Sequence, residues 1–225
     1  MQVNFQNVEY TMRKEEDELF YNGTLMVAYS SEYPYVTEGR APGLRRINLQ
    51  IAGQRLRFER FVRNRMYFDA VADYRRAQTE GYPFRAYDAV QNYTVTYNDN
   101  CHFSFYRDQY QYTGGAHGMT VRYGSTFNIL TGRPVPLSAF FHPGSNYIQR
   151  LKQLILEQAH RIQQKEPIYF DNYPKLIYQY FNPDSFYLIP DGIAIFYGQY
   201  EIGPYAIGIQ VFVIPWSEVD RPPRC

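Results

Sequence analysis

Tyr112-Thr113-Gly114-Gly115-Ala116-His117-Gly118 stands between two aromatic strand patterns, Cys101-His102-Phe103-Ser104-Phe105-Tyr106 before it and Met119 to Ile129 after it. Three glycines within five residues let the backbone turn through positive φ or approach another element closely. A histidine held there is either a catalytic group or a hydrogen-bonded imidazole at a strand corner, and no partner for it lies nearby in the chain. Further on, Leu130-Thr131-Gly132-Arg133-Pro134 closes the second strand pattern as a turn.

Working outward toward the N-terminus, residues 1–36 read as strands, with Asn22-Gly23 as turn chemistry and Leu25 to Tyr29 as a half-buried strand. Glu15-Glu16-Asp17-Glu18 reads as a solvated turn or sheet edge, because no cation-loop spacing follows it. Ser30 to Gly43, with Pro34, Gly39 and Pro42, reads as a loop. Apolar residues then recur at three- and four-residue steps from Ile51 through Phe58, Val62, Met66 and Ala70 to Tyr74. That spacing predicts a long helix over Leu44 to Thr79, with Gly53 as a potential break. Its many arginines are interleaved with Glu59, Asp69, Asp73 and Glu80, the signature of a salt-bridged solvent face rather than a nucleic-acid reader. Gly81-Tyr82-Pro83-Phe84 stops it, and a hairpin follows from Tyr87 through Asn98-Asp99-Asn100 to Tyr112.

Toward the C-terminus, Leu137 to Phe141 reads as a short helical turn. Asn146 is placed to cap a helix over Tyr147 to Gln164, with Ile148, Leu151, Leu154, Ile155 and Ile162 as its buried stripe. The last third is sheet: Phe186 to Ile189, the turn Pro190-Asp191-Gly192, Ile193 to Tyr197, and Ala206 to Ile214. Its strands are apolar on both faces in places, as a strand covered by a helix must be. The expected fold is therefore α+β: antiparallel sheets, each packed by a long helix, in two subdomains. Residues 1–112 form the first, residues 113–219 the second, and residues 220–225 a tail.

The 225-residue chain is long enough for a substantial core. A net charge of +1, evenly distributed, gives no global field to recruit nucleic acid or an anionic membrane. The unusual totals are 24 Tyr and 16 Phe, which suit half-buried strands and wet binding surfaces alike. No apolar run is long enough to span a bilayer, and Met1-Gln2-Val3-Asn4-Phe5 does not begin a signal peptide. Cys101 and Cys225 have no metal or redox spacing. They either form one bridge or remain a buried thiol and a frayed end, and the Asp220-Arg221-Pro222-Pro223-Arg224 tail favours the second. His102, His117, His142 and His160 form no metal-ligating pair, no nucleophile elbow or phosphate loop is present, and no cofactor is expected. In a hydrolase, His117 with Asp191 or Glu201 would be the acid–base pair.

Several of these runs occur together in one order. They are Gly81-Tyr82-Pro83-Phe84, Tyr110 to Gly118, Asn128 to Leu137 with its Thr131-Gly132, Phe186-Tyr187-Leu188, Tyr200-Glu201-Ile202-Gly203-Pro204-Tyr205-Ala206-Ile207-Gly208, and Ile214-Pro215-Trp216-Ser217-Glu218. In them the chain resembles, over nearly its whole length, a two-part family of bacterial extracellular domains of unknown function. The same pair of domains forms the ectodomain of lysozyme-sensing anti-sigma factors and an accessory region of peptidoglycan deacetylases. The resemblance implies an extracellular or cell-surface location, with the targeting or anchoring segment absent from this sequence. It also implies a non-catalytic binding or sensor role toward a lysozyme-like protein or a cell-wall glycan, without nucleic acid and without membrane insertion by this segment. The deacetylase's metal-binding motifs are absent, so that activity does not carry over. The alternatives are a hydrolase or deacetylase accessory module acting on cell-wall glycan or peptide, and a structural envelope domain. The expected contact surface is Gly114, Gly115 and His117 together with Glu201, Gly203, Pro204 and Tyr205.

Overall fold

The computed structural model describes residues 7–37 and 42–225, so Met1 to Phe5 and Gly39, read above from sequence, lie outside the described residues. Among the described residues eight strands form two sheets. Strands β1 (Tyr10–Tyr21), β2 (Thr24–Val36), β3 (Tyr87–Asp99), β4 (His102–Tyr112) and β5 (Met119–Asn128) make a five-stranded sheet in chain order. Strands β6 (Phe186–Ile189), β7 (Gly192–Tyr197) and β8 (Gln210–Pro215) make a smaller antiparallel one. Tight turns set the first two hairpins. Asn22 and Gly23 both take positive φ, 50° and 79°, between β1 and β2, and Asn100 and Cys101 do the same, 47° and 59°, between β3 and β4. Two left-handed residues give the turn whose twist matches that of paired strands.

One pair departs from the antiparallel expectation: β2 runs parallel to β3, from Val27 opposite Tyr87 to Glu32 opposite Asn92. The cause is the helical rod between them, since a crossover of that length returns the chain in the same direction. The rod comprises α1 (Leu44–Phe61), a π-helical turn (Val62–Met66) and α2 (Tyr67–Glu80). Gly53 does not break it; the irregularity lies at the π turn, where the Tyr67 N–H reaches the Val62 carbonyl. Buried Gln54, Phe58, Val62, Met66 and Ala70 advance in steps of four, which overshoot a 3.6-residue turn, and the wider π turn absorbs the drift. Gly81, at φ 79°, ends the rod. Strand β2 also extends through the expected loop as far as Val36. Pro34, which lacks an N–H, pairs only with Met12, beyond the last β2–β3 partner, so the ladder toward β3 loses nothing.

The rod packs on one face of the large sheet, closing a core of Met26, Phe58, Val62, Met66 and Ala89 and a second of Ile47, Ile51, Phe103, Phe105 and Phe127. In the second unit, α3 (Tyr147–Lys165) and α4 (Tyr173–Tyr180) cover the small sheet through Leu151, Ile155, Ile177, Ile195 and Phe212. Asn146 stands at the N-cap of α3 but makes no side-chain capping bond. Strand β5 lies past the expected boundary at residue 112, yet hydrogen-bonds along β4 as the fifth strand of the first sheet.

The two units meet across β4 and β5. A Cβ placed on Gly124 would lie 1.7 Å from the Phe186 carbonyl oxygen, so only glycine permits this approach. Beside it the Leu188 N–H donates to Ser104 Oγ at 2.9 Å, Ser104 Oγ lies 2.8 Å from Thr126 Oγ1, and the Tyr106 and Tyr187 rings pack at 5.0 Å.

The tail is not frayed. Cys225 is disulfide-bonded to Cys101, which corrects the reading of two separate thiols. Sequence alone does not show the path of the tail. Asp220 accepts from the His142 N–H and binds Arg150 at 2.8 Å, the Arg221 N–H donates to the Phe140 carbonyl, and Pro223 is buried. Closing a loop with a sequence separation of 124 residues removes much denatured-state entropy. Reduction, or Cys225→Ser, is expected to lower stability by about 4 kcal/mol, read as a lower urea midpoint. An unchanged midpoint would show that the bridge contributes nothing.

Candidate functional site

The glycine loop leaves β4 at Thr113 and enters β5 at Met119. Gly114 turns it at φ 84°, Gly115 faces open space, and His117 is exposed. The segment between β7 and β8 comes up against this loop. Here Tyr200 takes φ 65°, Pro204 is exposed, and Gly203 is buried where a Cβ would meet the Ile207 side chain at 2.4 Å. The two segments join at two places. The His117 ring stacks on the Tyr205 ring at 4.0 Å with 21° between planes, and the Thr120 N–H donates to Gln199 Oε1 at 2.8 Å. Tyr200 lies 5.8 Å beyond Tyr205, extending the aromatic surface. Of the residues read from sequence, His117 and Tyr205 are therefore brought into contact, with Gly114 and Gly115 in the loop of the one and Pro204 beside the other. Gly203 acts as a packing position against Ile207, and Glu201 turns toward a neighbouring cavity.

Among the described residues no acid is ion-paired with His117. Its Nδ1 lies 3.2 Å from the Gly118 carbonyl oxygen, to which it donates, and its ring face is covered by Tyr205. Asp191 sits in the turn before β7, whereas the segment that touches the loop follows β7, so a strand of six residues, about 20 Å, separates the two ends. Glu201 Oε2 accepts from the Gly198 N–H at 2.7 Å, and burial raises its pKa above the ordinary carboxylate value despite that bond. Among the described residues no three His, Cys, Asp or Glu side chains converge as a metal site.

The adjoining cavity holds about 500 Å³. One wall is the β5 edge with Met119, Val121 and Tyr123, a row of alternate residues 39, 44 and 40% exposed. Arg107 of β4 and Gln54 of α1 form its inner end, and Asp184, Gln199 and Glu201 bring the second unit to it. Arg107 lies opposite Tyr123 in the ladder, with its guanidinium 4.2 Å from that ring centre. Sequence reading passed over Arg107. The available signal was parity: Phe103, Phe105 and Arg107 alternate on one face of β4, which puts a charge in line with core aromatics. His102 belongs to the interior, where its Nδ1 is 2.7 Å from the Asn100 carbonyl, and His160 meets the Tyr173 hydroxyl on α3.

Comparison with known proteins agrees with the two-part architecture. Residues 22–120 match the family model described as deacetylase PdaC, and residues 138–217 match that of DUF3298, a protein of unknown function. No curated protein sequence matches the chain. A DUF3298 family member from Bacteroides fragilis is similar in structure with a TM-score of 0.69 at 17% identity, covering 96% of this chain and 93% of that one. A DUF3298 family protein from Pseudomonas aeruginosa gives 0.62 at 16% identity, over 96% and 95%. At such identities the likeness is one of fold.

The state of Glu201 has a measurable consequence. The folded chain binds this proton more tightly than the unfolded chain does. Its contribution to stability is therefore complete below the ordinary value of 4.5 and lost as pH rises through the raised value. Glu201→Gln keeps an oxygen for the Gly198 N–H and removes the charge. Thermal melts between about pH 4 and 8 should show the variant gaining on the wild type with rising pH, by a few degrees at neutrality. A wild type that gains on the variant over that range would contradict the assignment.

Proposed function

We propose that this chain is a non-catalytic binding or sensor domain of the bacterial cell envelope. It would hold a cell-wall glycan or a lysozyme-like protein on the surface where the glycine loop meets the β7–β8 segment. The single observation that carries this reading is the His117–Tyr205 stack, which occupies the imidazole face with an aromatic ring and joins two loops from different units. A stacked, exposed aromatic patch with polar tips suits a sugar ring or a protein side chain. General base catalysis instead needs the imidazole oriented by a carboxylate. The disulfide supports an extracellular or cell-surface location, since such bonds persist in oxidising surroundings. Among the described residues no helix is long and apolar enough to cross a membrane.

The charges on β1 weigh between the two partners. A basic protein such as lysozyme favours an acidic face. Glu15 is ion-paired with Arg55, Asp17 with Arg63, and Glu16 with Lys14. The acidic run is thus largely neutralised within the chain, which shifts the weight toward a glycan. The match of residues 22–120 to the deacetylase PdaC model favours a second reading, an accessory module that brings a cell-wall enzyme to its substrate.

Binding to purified peptidoglycan sacculi by sedimentation, and to lysozyme by calorimetry, tests the proposal. The wild-type domain is expected to bind at least one of them without releasing or altering sugar, and His117→Ala with Tyr205→Ala to weaken that binding about tenfold or more. Catalytic release of fragments or of acetate, or no binding to either partner, would overturn it.

A further inference from the structure

The cavity beside the stacked loops contains a guanidinium that, among the described residues, is held in no ion pair. It belongs to Arg107, whose Nε is buried without a hydrogen-bond partner. The contrast with Arg122 on the adjacent strand is direct. Arg122 points to the other face of the sheet and grips Asp108 with two bonds, 2.8 and 2.7 Å, while packing 3.7 Å over Tyr106. Arg107 has aromatic cover from Tyr123 but no acid, and Arg57 is close enough to disfavour its charge further. Gln54 does not compensate it, being a donor with its Nε2 atom to Ser125 Oγ and an acceptor with its Oε1 atom from the Tyr93 hydroxyl. A half-buried guanidinium without an anion is costly to keep, and its planar fork matches a carboxylate.

We infer that this cavity is a binding pocket for a carboxylate-bearing ligand, with Arg107 as the anchor and Tyr123 as the platform. The inference rests on the envelope-binding reading for the kind of molecule that arrives, and on the cavity alone for its chemistry. Asp184 and Glu201, which line the same cavity from the second unit, decide two points. They disfavour a doubly charged phosphate, and they offer acceptors to hydroxyl or amide N–H groups, so the ligand carries one carboxylate and neighbouring donors. An acidic sugar-peptide fragment has that pattern, with the exposed row Met119, Val121 and Tyr123 under its apolar parts.

The experiment is a titration of the wild-type domain with N-acetylmuramyl-alanyl-isoglutamine, followed through the arginine Nε–H resonances in a nitrogen-15 correlation spectrum. Tri-N-acetylchitotriose serves as the neutral control and glycerol 3-phosphate as the phosphate control. The Arg107 resonance should shift saturably with the acidic fragment and stay in place with both controls. Arg107→Met should weaken binding about 10- to 100-fold, and Arg107→Lys less. No Arg107 shift, an equal shift with either control, or unchanged affinity in a folded Arg107→Met variant would overturn the pocket. Sacculus binding by the wild type, measured in parallel, separates the two claims. If it is present without an Arg107 response, only the pocket fails; if neither sacculi nor lysozyme binds, the envelope reading fails.

Discussion

The two units meet where Gly124 lies against the Phe186 carbonyl oxygen. At Gly124 the edge of the five-stranded sheet comes so near the Phe186 backbone that no side chain fits between them. The approach lets the Leu188 N–H reach Ser104, brings Tyr187 onto Tyr106, and carries the β7–β8 segment up to the glycine loop. Polar groups buried along such a seam have to be satisfied across it, and the Ser104 hydroxyl serves both sides. The tail disulfide reinforces the arrangement from behind by fixing the last residue of the chain to the β3–β4 turn.

Electrostatics divides the arginines into two populations. Several serve the fold: Arg55 and Arg63 tie the rod to β1, Arg122 stitches β4 to β5, and Arg150 secures the tail. The exposed pairs among them contribute little each. Arg107 differs because burial and isolation coincide in it, and because the cavity beside it is bounded by both units. The aromatic residues divide in the same way. Phe103, Phe105 and Phe127 fill the interior, whereas Tyr123, Tyr200 and Tyr205 remain accessible around the junction.

Much of the architecture is legible in the amino-acid order. Both long helices follow from three- and four-residue apolar steps, and Asn22-Gly23 marks its hairpin because two adjacent left-handed residues are cheap there. The parallel β2–β3 pair is not marked in either strand, since alternation is the same whichever way the neighbour runs; only the length of the helical rod between them implies it. The bridge to Cys225 is obscured by a tail whose prolines resemble those of a loose end, although its anchors are Asp220, Arg221 and Pro223. At the candidate site, both loops stand out by glycine and aromatic content. Their contact through His117 and Tyr205 depends on tertiary approach, and nothing local encodes it. Arg107 resembles any strand arginine until its parity with Phe103 and Phe105 is counted.

The claim that the surface exists only because the two units are locked at the seam is tested most directly by Gly124→Ala. A methyl group there has to push the units apart, while leaving the rod-and-sheet core and the small-sheet core each intact. Hydrogen exchange followed residue by residue should show protection lost at Leu188 and Thr120 and retained in the helices and central strands. Unchanged protection at Leu188 and Thr120 in the variant would contradict the account.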